Sequence, residues 1–298
     1  MVQSIEVTPE ELSTGSSSAA ALDASAAATR AGVRLESITD FEQLRSVSAL
    51  LESVWGRSDE GVPINSDVLR GIVHAGGCVT CAYSRDEELV GAAALMPSVP
   101  SVASYSLIAA ARAGGSDQGI GYAVKMNQRS WALQHGFTSM TWTFDPLVSR
   151  NARFNLVKLG AQAEVYEVAF YGQPSDDISG SDEADRLVAR WVLGSARALA
   201  ASALVADGPG ADSEHGPPPQ ATLSQAGPDD NAMLARLDED VWCRVPQDII
   251  SLRRSDPEHA SSWRAMVRTV FTEAFADGLY ATSISRDGWY RLTPKDDR

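Results

Sequence analysis

Helical and strand periodicities of apolar residues divide this chain into a series of short elements. Residues 33–37 read as a first strand, and residues 41–55 as an amphipathic helix that starts after an Asp40 cap. Ser66 and Asp67 open a second helix through about residue 75, which Gly76 and Gly77 end. Apolar runs at 78–84 and 89–96 predict two strands joined by a charged turn at 85–88, and residues 104–110 predict a fourth. A loop without large side chains before Asp117 follows. Beyond it Ile120, Val124 and Trp131 share one helical face as far as Gly136, which closes the helix. Residues 139–144 form a fifth strand ended by Asp145 and Pro146; residues 149–160 form a short helix closed by Gly160. Strands at 164–171 and 187–193 come next. Towards the end, Asp256 and Pro257 start a helix whose stripe of Trp263, Met266, Val267, Val270 and Ala274 runs to Gly278, between strands at 241–245 and 279–285.

Composition sorts these elements into regions. Residues 1–31 are rich in Ser and Ala and are expected to be a disordered leader, or at most a fraying helix. Residues 206–231 turn to Gly, Pro, Asp and Ser, so 194–240 is expected to be a flexible linker or loop. Between them lies a main domain at 32–193; after them comes a small β-α-β-β subdomain at 241–298 that caps or extends its sheet. With 298 residues, 44% of them hydrophobic, the chain is long enough for one full core.

Charge changes the picture of partners. A net charge of −14 argues against nucleic acid, whose binding rests on release of counterions by Lys and Arg. Only three lysines occur, Lys125, Lys158 and Lys295, so an anionic ligand would have to meet backbone N–H groups and local arginines such as Arg112, Arg150 or Arg153. No run of some eighteen apolar residues suggests a membrane span, and no basic stretch opens a signal peptide, so no membrane partner is expected and the place is read as cytoplasmic. Cys78 and Cys81 form a C-x-x-C, but in a strand residues three apart face opposite ways, so they read as structural and no metal is expected.

The candidate chemistry centres on residues 113–122. A helix N-terminus behind bare backbone is an anion site, because its first N–H groups lack partners and carry the positive end of the helix dipole. Gly119 and Gly121 would let a bulky pyrophosphate approach that backbone. No GxxxxGK[ST] loop and no dinucleotide-binding glycine motif is present. Residues Ser116-Asp-Gln-Gly-Ile-Gly121 resemble motif A of the GNAT acyltransferase superfamily, usually Gln/Arg-x-x-Gly-x-Gly/Ala, with Ser116 in place of the usual Gln or Arg. The ending Lys158-Leu-Gly-Ala161 is similar to motif B. The stretches Trp142-Thr-Phe-Asp-Pro-Leu147, Arg150-Asn-Ala-Arg-Phe-Asn155 and Phe170-Tyr-Gly172 are similar to a less-studied branch whose best understood relatives N-acylate amino acids.

What this resemblance implies is an α+β fold, a GNAT-like mixed and mostly antiparallel sheet flanked by helices. It further implies an enzyme that transfers an acetyl or other short acyl group, succinyl for instance, from acyl-CoA to the amine of a small molecule such as an amino acid, acting as a homodimer. By the same resemblance CoA would contact the main chain of Leu107, Ile108 and Ala109 on a splayed fourth strand, the residues Ser116, Gln118, Gly119, Ile120, Gly121 and Tyr122 at the turn, and Asn151 and Asn155. The family's usual tyrosine acid falls at Leu156 here, leaving Tyr122, Tyr166 or Tyr171 as substitutes; Tyr166 is the residue assigned. Asp145 either steers and deprotonates the amine or serves as an Asp-Pro turn residue. The second reading of the same features is a non-catalytic acyl-CoA-binding sensor, since Ser116 and Leu156 both depart from the family pattern.

Overall fold

The structure is a computed structural model that describes residues 16–57, 61–99, 102–112, 119–172, 184–206 and 216–295. It is an α+β fold whose strands are mostly antiparallel, and its chain divides into two compact units. One holds the residues up to Trp142 with Val192–Ser195; the other holds Thr143–Trp191 and Ala196–Arg298. No helix among the described residues is long and apolar enough to cross a membrane.

In the first unit, strands β1 (Arg34–Ile38), β2 (Cys78–Tyr83), β3 (Leu89–Ser98), β4 (Ala103–Ala111) and β5 (Ser139–Phe144) lie in sequence order. The first three junctions are antiparallel and that of β4 with β5 is parallel. Helices α2 (Phe41–Trp55) and α3 (Ser66–His74) cover one face. Asp40 starts α2 by accepting from the N–H groups of Glu42 and Gln43, and Asn65 starts α3 by accepting from Val68. Leu44, Val47, Leu50 and Leu51 of α2 pack with Leu69, Ile72, Val79, Cys81, Ala92 and Ala94 into one core. On the small-residue strands β2 and β3 the alanines leave room for the larger helix side chains, which is how close packing is reached without voids.

Helix α4 (Ile120–Gln134) is buried nearly all round, because α1 (Ser16–Ala31) packs against it. This corrects the expectation for residues 1–31. Ala20, Ala24, Ala27 and Ala31 are buried at helical spacing, and their small side chains let two helix backbones come close. The low-complexity look of the segment is therefore a packing surface over 16–31; residues 1–15 lie outside the described residues.

In the second unit the sheet order is β7-β6-β11-β12-β10-β9-β8. It uses β6 (Gln162–Glu167), β7 (Arg186–Val192), β8 (Thr222–Ala226), β9 (Ala232–Leu237), β10 (Asp240–Arg244), β11 (Leu279–Ile284) and β12 (Trp289–Pro294). Helices α5 (Ser149–Arg153), α6 (Ala196–Ala206), α7 (Ile249–Ser255) and α8 (Pro257–Ala276) complete it, with Asp256 capping α8 through the N–H of His259. Trp263, Phe271 and Tyr290 centre its core, the last two edge to face with ring centroids 5.1 Å apart.

Three expectations change here. The helix foreseen over 149–160 is α5 followed by a π-helical turn, Phe154–Lys158. The sixth strand stops at Glu167, because Ala169 takes a left-handed φ of 48° and gives its N–H to Asp185, so Phe170 and Tyr171 lie in a turn. The segment 194–240 holds α6, β8 and β9 and is not a linker over its described part. Its strand β8 is exposed at every position and so lacks the alternation that marks a strand in sequence.

Candidate active site

The sequence of β4 produces the feature that matters most. In its pairing with β3 the register shifts between Ala94 and Leu95, leaving Leu107 as the extra residue of a β-bulge. A bulge bends its strand and increases the local twist. On the other side β4 runs parallel to β5 only over Ala103, Ser104 and Tyr105, opposite Ser139, Met140 and Thr141. Beyond that point the two strands part. Residues 106–111 keep their bonds to β3 while their other edge has no strand partner among the described residues. Leu107 is exposed there, and Ile108 and Ala109 are half-buried.

Helix α4 begins at the wide end of this opening. Gly119 is its N-cap in a left-handed conformation with φ 80°, and no side chain among the described residues caps the first turn. No described residue lies within 4 Å of where a Cβ would stand at Gly119 or Gly121. Gly91 on β3 sets how close the helix comes: a Cβ there would stand 2.8 Å from Ile120 Cγ2. Ile120 and Tyr122 are buried by that approach, whereas Gly121 is half-buried. Ser116 and Gln118 lie outside the described residues.

At the narrow end sits one of the three lysines of the chain. Lys125 of α4 is buried, and its Nζ donates to Ser106 Oγ at 2.7 Å. Ser106 in turn donates to Gln128 Oε1 at 3.0 Å. Nζ also stands 4.0 Å from the centre of the Trp142 ring. Ser106 and Trp142 are the first residues of β4 and β5 past their last pair, so Lys125 fills the vertex of the opening. Burial, with no carboxylate to offset it, pulls the amine down from 10.5 to about 7. A lysine amid apolar helix positions was the available signal; only the fold shows that it faces the strand junction.

The two residues assigned to acid–base work lie in the second unit, each inside an arginine network. Asp145 receives Arg253 at 2.6 Å and Arg264 at 3.3 Å, has Arg186 at 3.9 Å, and accepts the Leu147 N–H at 2.9 Å. Burial alone would raise its pKa, but the charges of Arg264 and Arg253 outweigh burial and hold the carboxyl below its usual range. Tyr166 donates to Asp185 Oδ2 at 2.7 Å, and Asp185 also holds Arg268 through both oxygens at 2.9 and 3.0 Å. Burial, and then that hydrogen bond, push the Tyr166 phenol well above its ordinary value. A carboxylate so occupied is a weak base, and a phenol so placed is a weak acid. Asn151 is half-buried on α5 and Asn155 buried in the π-helical turn.

Cys78 and Cys81 are free, buried and on opposite faces of β2. Cys81 joins the core under α2 and α3; Cys78 faces Ser37 and Thr80. Burial pushes the Cys78 thiol up and the Cys81 thiol up to about 12, so neither is a ready thiolate.

No family model and no curated protein matches this chain. Solved structures do. An N-acetyltransferase from Staphylococcus aureus Mu50 is 11% identical with a TM-score of 0.45, over 54% of this chain and 98% of its own. The ribosomal-protein-S18-alanine N-acetyltransferase from Escherichia coli is 11% identical with a TM-score of 0.44, over 55% and 96%. A GNAT superfamily phosphinothricin acetyltransferase from Sinorhizobium meliloti, in complex with AcCoA, is 16% identical with a TM-score of 0.44, over 53% and 87%. Each is similar to about half of this chain.

Proposed function

We propose that this protein is an acyl-CoA-dependent N-acyltransferase of the GNAT type, transferring an acetyl or other short acyl group to the amine of a small molecule such as an amino acid. The observation that carries this reading is the parting of β4 from β5 beside the uncapped start of α4. Acyl-CoA has a pyrophosphate at one end, two amides along its arm and a thioester at the other. The open backbone edge of 106–111, with Leu107, Ile108 and Ala109 at its middle, offers N–H and C=O groups spaced to pair with those amides as an added strand would. The first turn of α4, with Gly119, Ile120, Gly121 and Tyr122, offers N–H donors and the positive end of a dipole to the pyrophosphate. Ser116 and Gln118 precede this turn in the sequence. An acidic protein can bind a polyanion there because backbone amides, rather than surface charge, supply the donors.

A substitution at Gly121 tests this. Its φ is ordinary, no described residue stands within 4 Å of its Cβ position, and a carboxylate in the first turn suits the helix dipole, so Gly121→Glu leaves α4 intact while opposing the pyrophosphate. Calorimetry should show CoA affinity falling at least about tenfold with an unchanged melting temperature. Equal affinity in the two proteins would remove the turn from the site. Thiol release from acetyl-CoA with a panel of amines then distinguishes a transferase from a protein that only binds the cosubstrate.

A further inference from the structure

We propose that Lys125 is a catalytic residue of the acyl-CoA site, the group that takes up the proton of the attacking amine and returns it to the departing thiolate. This rests on the reading that acyl-CoA lies along the open edge of β4, and the vertex geometry adds what that reading lacks, a proton acceptor.

Three observations converge on the vertex. Among the described residues, the partners of Lys125 Nζ are a hydroxyl, at 2.7 Å, the Met140 sulfur, at 4.0 Å, and the face of Trp142. None of these is an anion, although a buried ammonium ordinarily demands one. Next to it, Gln128 Nε2 is buried and has no partner among the described residues, while the Oε1 of the same amide is used by Ser106. A buried amide donor without an acceptor, beside an amine without a counterion, marks a place where a ligand oxygen or a water completes the hydrogen bonding. Finally, the opening itself points there: the unpaired edge of β4 runs from the α4 N-terminus to Ser106, so a ligand whose phosphates sit at the helix places its far, thioester end at Lys125.

The surroundings leave the amine free to exchange a proton. Asp23 of α1 is paired with Arg129 of α4, Glu36 of β1 with Arg34, and Cys78 of β2 bonds Ser37 and Thr80. β5 presents Met140 and Trp142 to the amine, and burial is the cause that moves Lys125. A neutral amine at the vertex is a base of useful strength near neutral pH.

The step balances without a further reactant. The acceptor nitrogen attacks the thioester carbonyl carbon, a C–N bond forms and the C–S bond breaks, and the amide and a thiolate result. The proton lost by nitrogen goes to Nζ, where Ser106 Oγ and the Trp142 face receive the ammonium, and then to sulfur to give free CoA. Gln128 Nε2 is placed to donate to the carbonyl oxygen while it carries negative charge.

The test uses the full chain with lysines labelled in the side chain with carbon-13, where three lysines give few resonances. Lys125→Met, which keeps length and removes a buried charge, assigns Lys125 and should fold at least as well. The Lys125 resonance should titrate near pH 7 and shift when acetyl-CoA is added, and calorimetry should give equal acetyl-CoA affinity for both proteins. With any amine that supports thiol release by the unsubstituted chain, Lys125→Met should lower kcat/KM by roughly 10²–10⁴ and abolish the acid limb near pH 7. The proposal falls if Lys125 titrates near 10.5, if acetyl-CoA binds without moving its resonance, or if Lys125→Met keeps its turnover; in each case the acyl-CoA reading survives. A stable acyl group found on Lys125 by mass spectrometry would also overturn it, since an amide nitrogen takes up no proton. Absence of any acetyl-CoA binding would remove the acyl-CoA reading, and this proposal with it.

Discussion

At the scale of single residues, the buried charges divide into two kinds. Lys125 is buried without a counterion among the described residues, and its cost appears as a dependence of stability on pH. Its folded value of about 7 lies below 10.5, so between these the unfolded chain binds more protons, and stability climbs as pH rises through that window. Lys125→Met should flatten this rise in denaturant melts and gain roughly 1–3 kcal/mol at neutral pH. Asp145 is the opposite case, a carboxylate whose pKa is lowered by paired arginines. Its contribution is present above its ordinary 3.8 and is lost as pH falls through the lower folded value. Asp145→Asn leaves Arg264, almost wholly buried, without that charge, so we expect a loss of about 2–4 kcal/mol at pH 7 that fades below the ordinary carboxylate range. Unchanged stability with lost acyl transfer would instead make Asp145 the base.

At the scale of elements, α1 is tied to the first unit by more than its alanines. Arg129 of α4 is fully buried, donates from Nε to the Leu193 carbonyl at 2.8 Å, and meets Asp23 of α1 at 2.9 Å. Removing residues 1–31 therefore uncovers one side of α4 and takes away the carboxylate opposite a buried guanidinium. Thermal melts of the truncated protein should show a midpoint lower by several degrees. Asp23→Ala alone should lower it less, because Asp23 is one-third exposed and its pair is partly screened. A truncated protein that melts like the full chain would reduce α1 to a loosely attached helix.

At the scale of the whole molecule, neither compact unit is one continuous stretch, since residues 192–195 belong with the first and 143–191 with the second. Cutting at residue 240 removes Trp263, Phe271 and Tyr290 from the core of the second unit, together with Arg253, Arg264 and Arg268. What remains keeps Asp145 and Asp185 without those three cations and β6 without its pairing to β11. We expect that product to be insoluble or to lack a cooperative transition for the second unit. A soluble fragment with the full melting profile would make 241–298 an independent piece.

By itself, the sequence determined the elements whose signals are local. Asp40, Asp256 with Pro257, and Gly136 sit where backbone geometry requires those residue types, and α2, α4 and α8 follow from them together with their apolar faces. The glycines of the α4 turn were legible for the same reason: an uncapped helix start and a left-handed Gly119 depend on neighbours in the chain. What only the tertiary structure decided depends on residues far apart. α1 became a helix because α4 offered a close surface to alanines whose own amphipathic signal is weak. Asp145 took its low pKa from arginines 108 and 119 positions away. Lys125 lost its ordinary charge preference because β4 bulges at Leu107 and leaves β5 after three pairs, which puts Ser106 and Trp142 around its amine. Propensity and capping act over one or two turns, whereas burial and charge act across space, and the candidate site depends on the second pair.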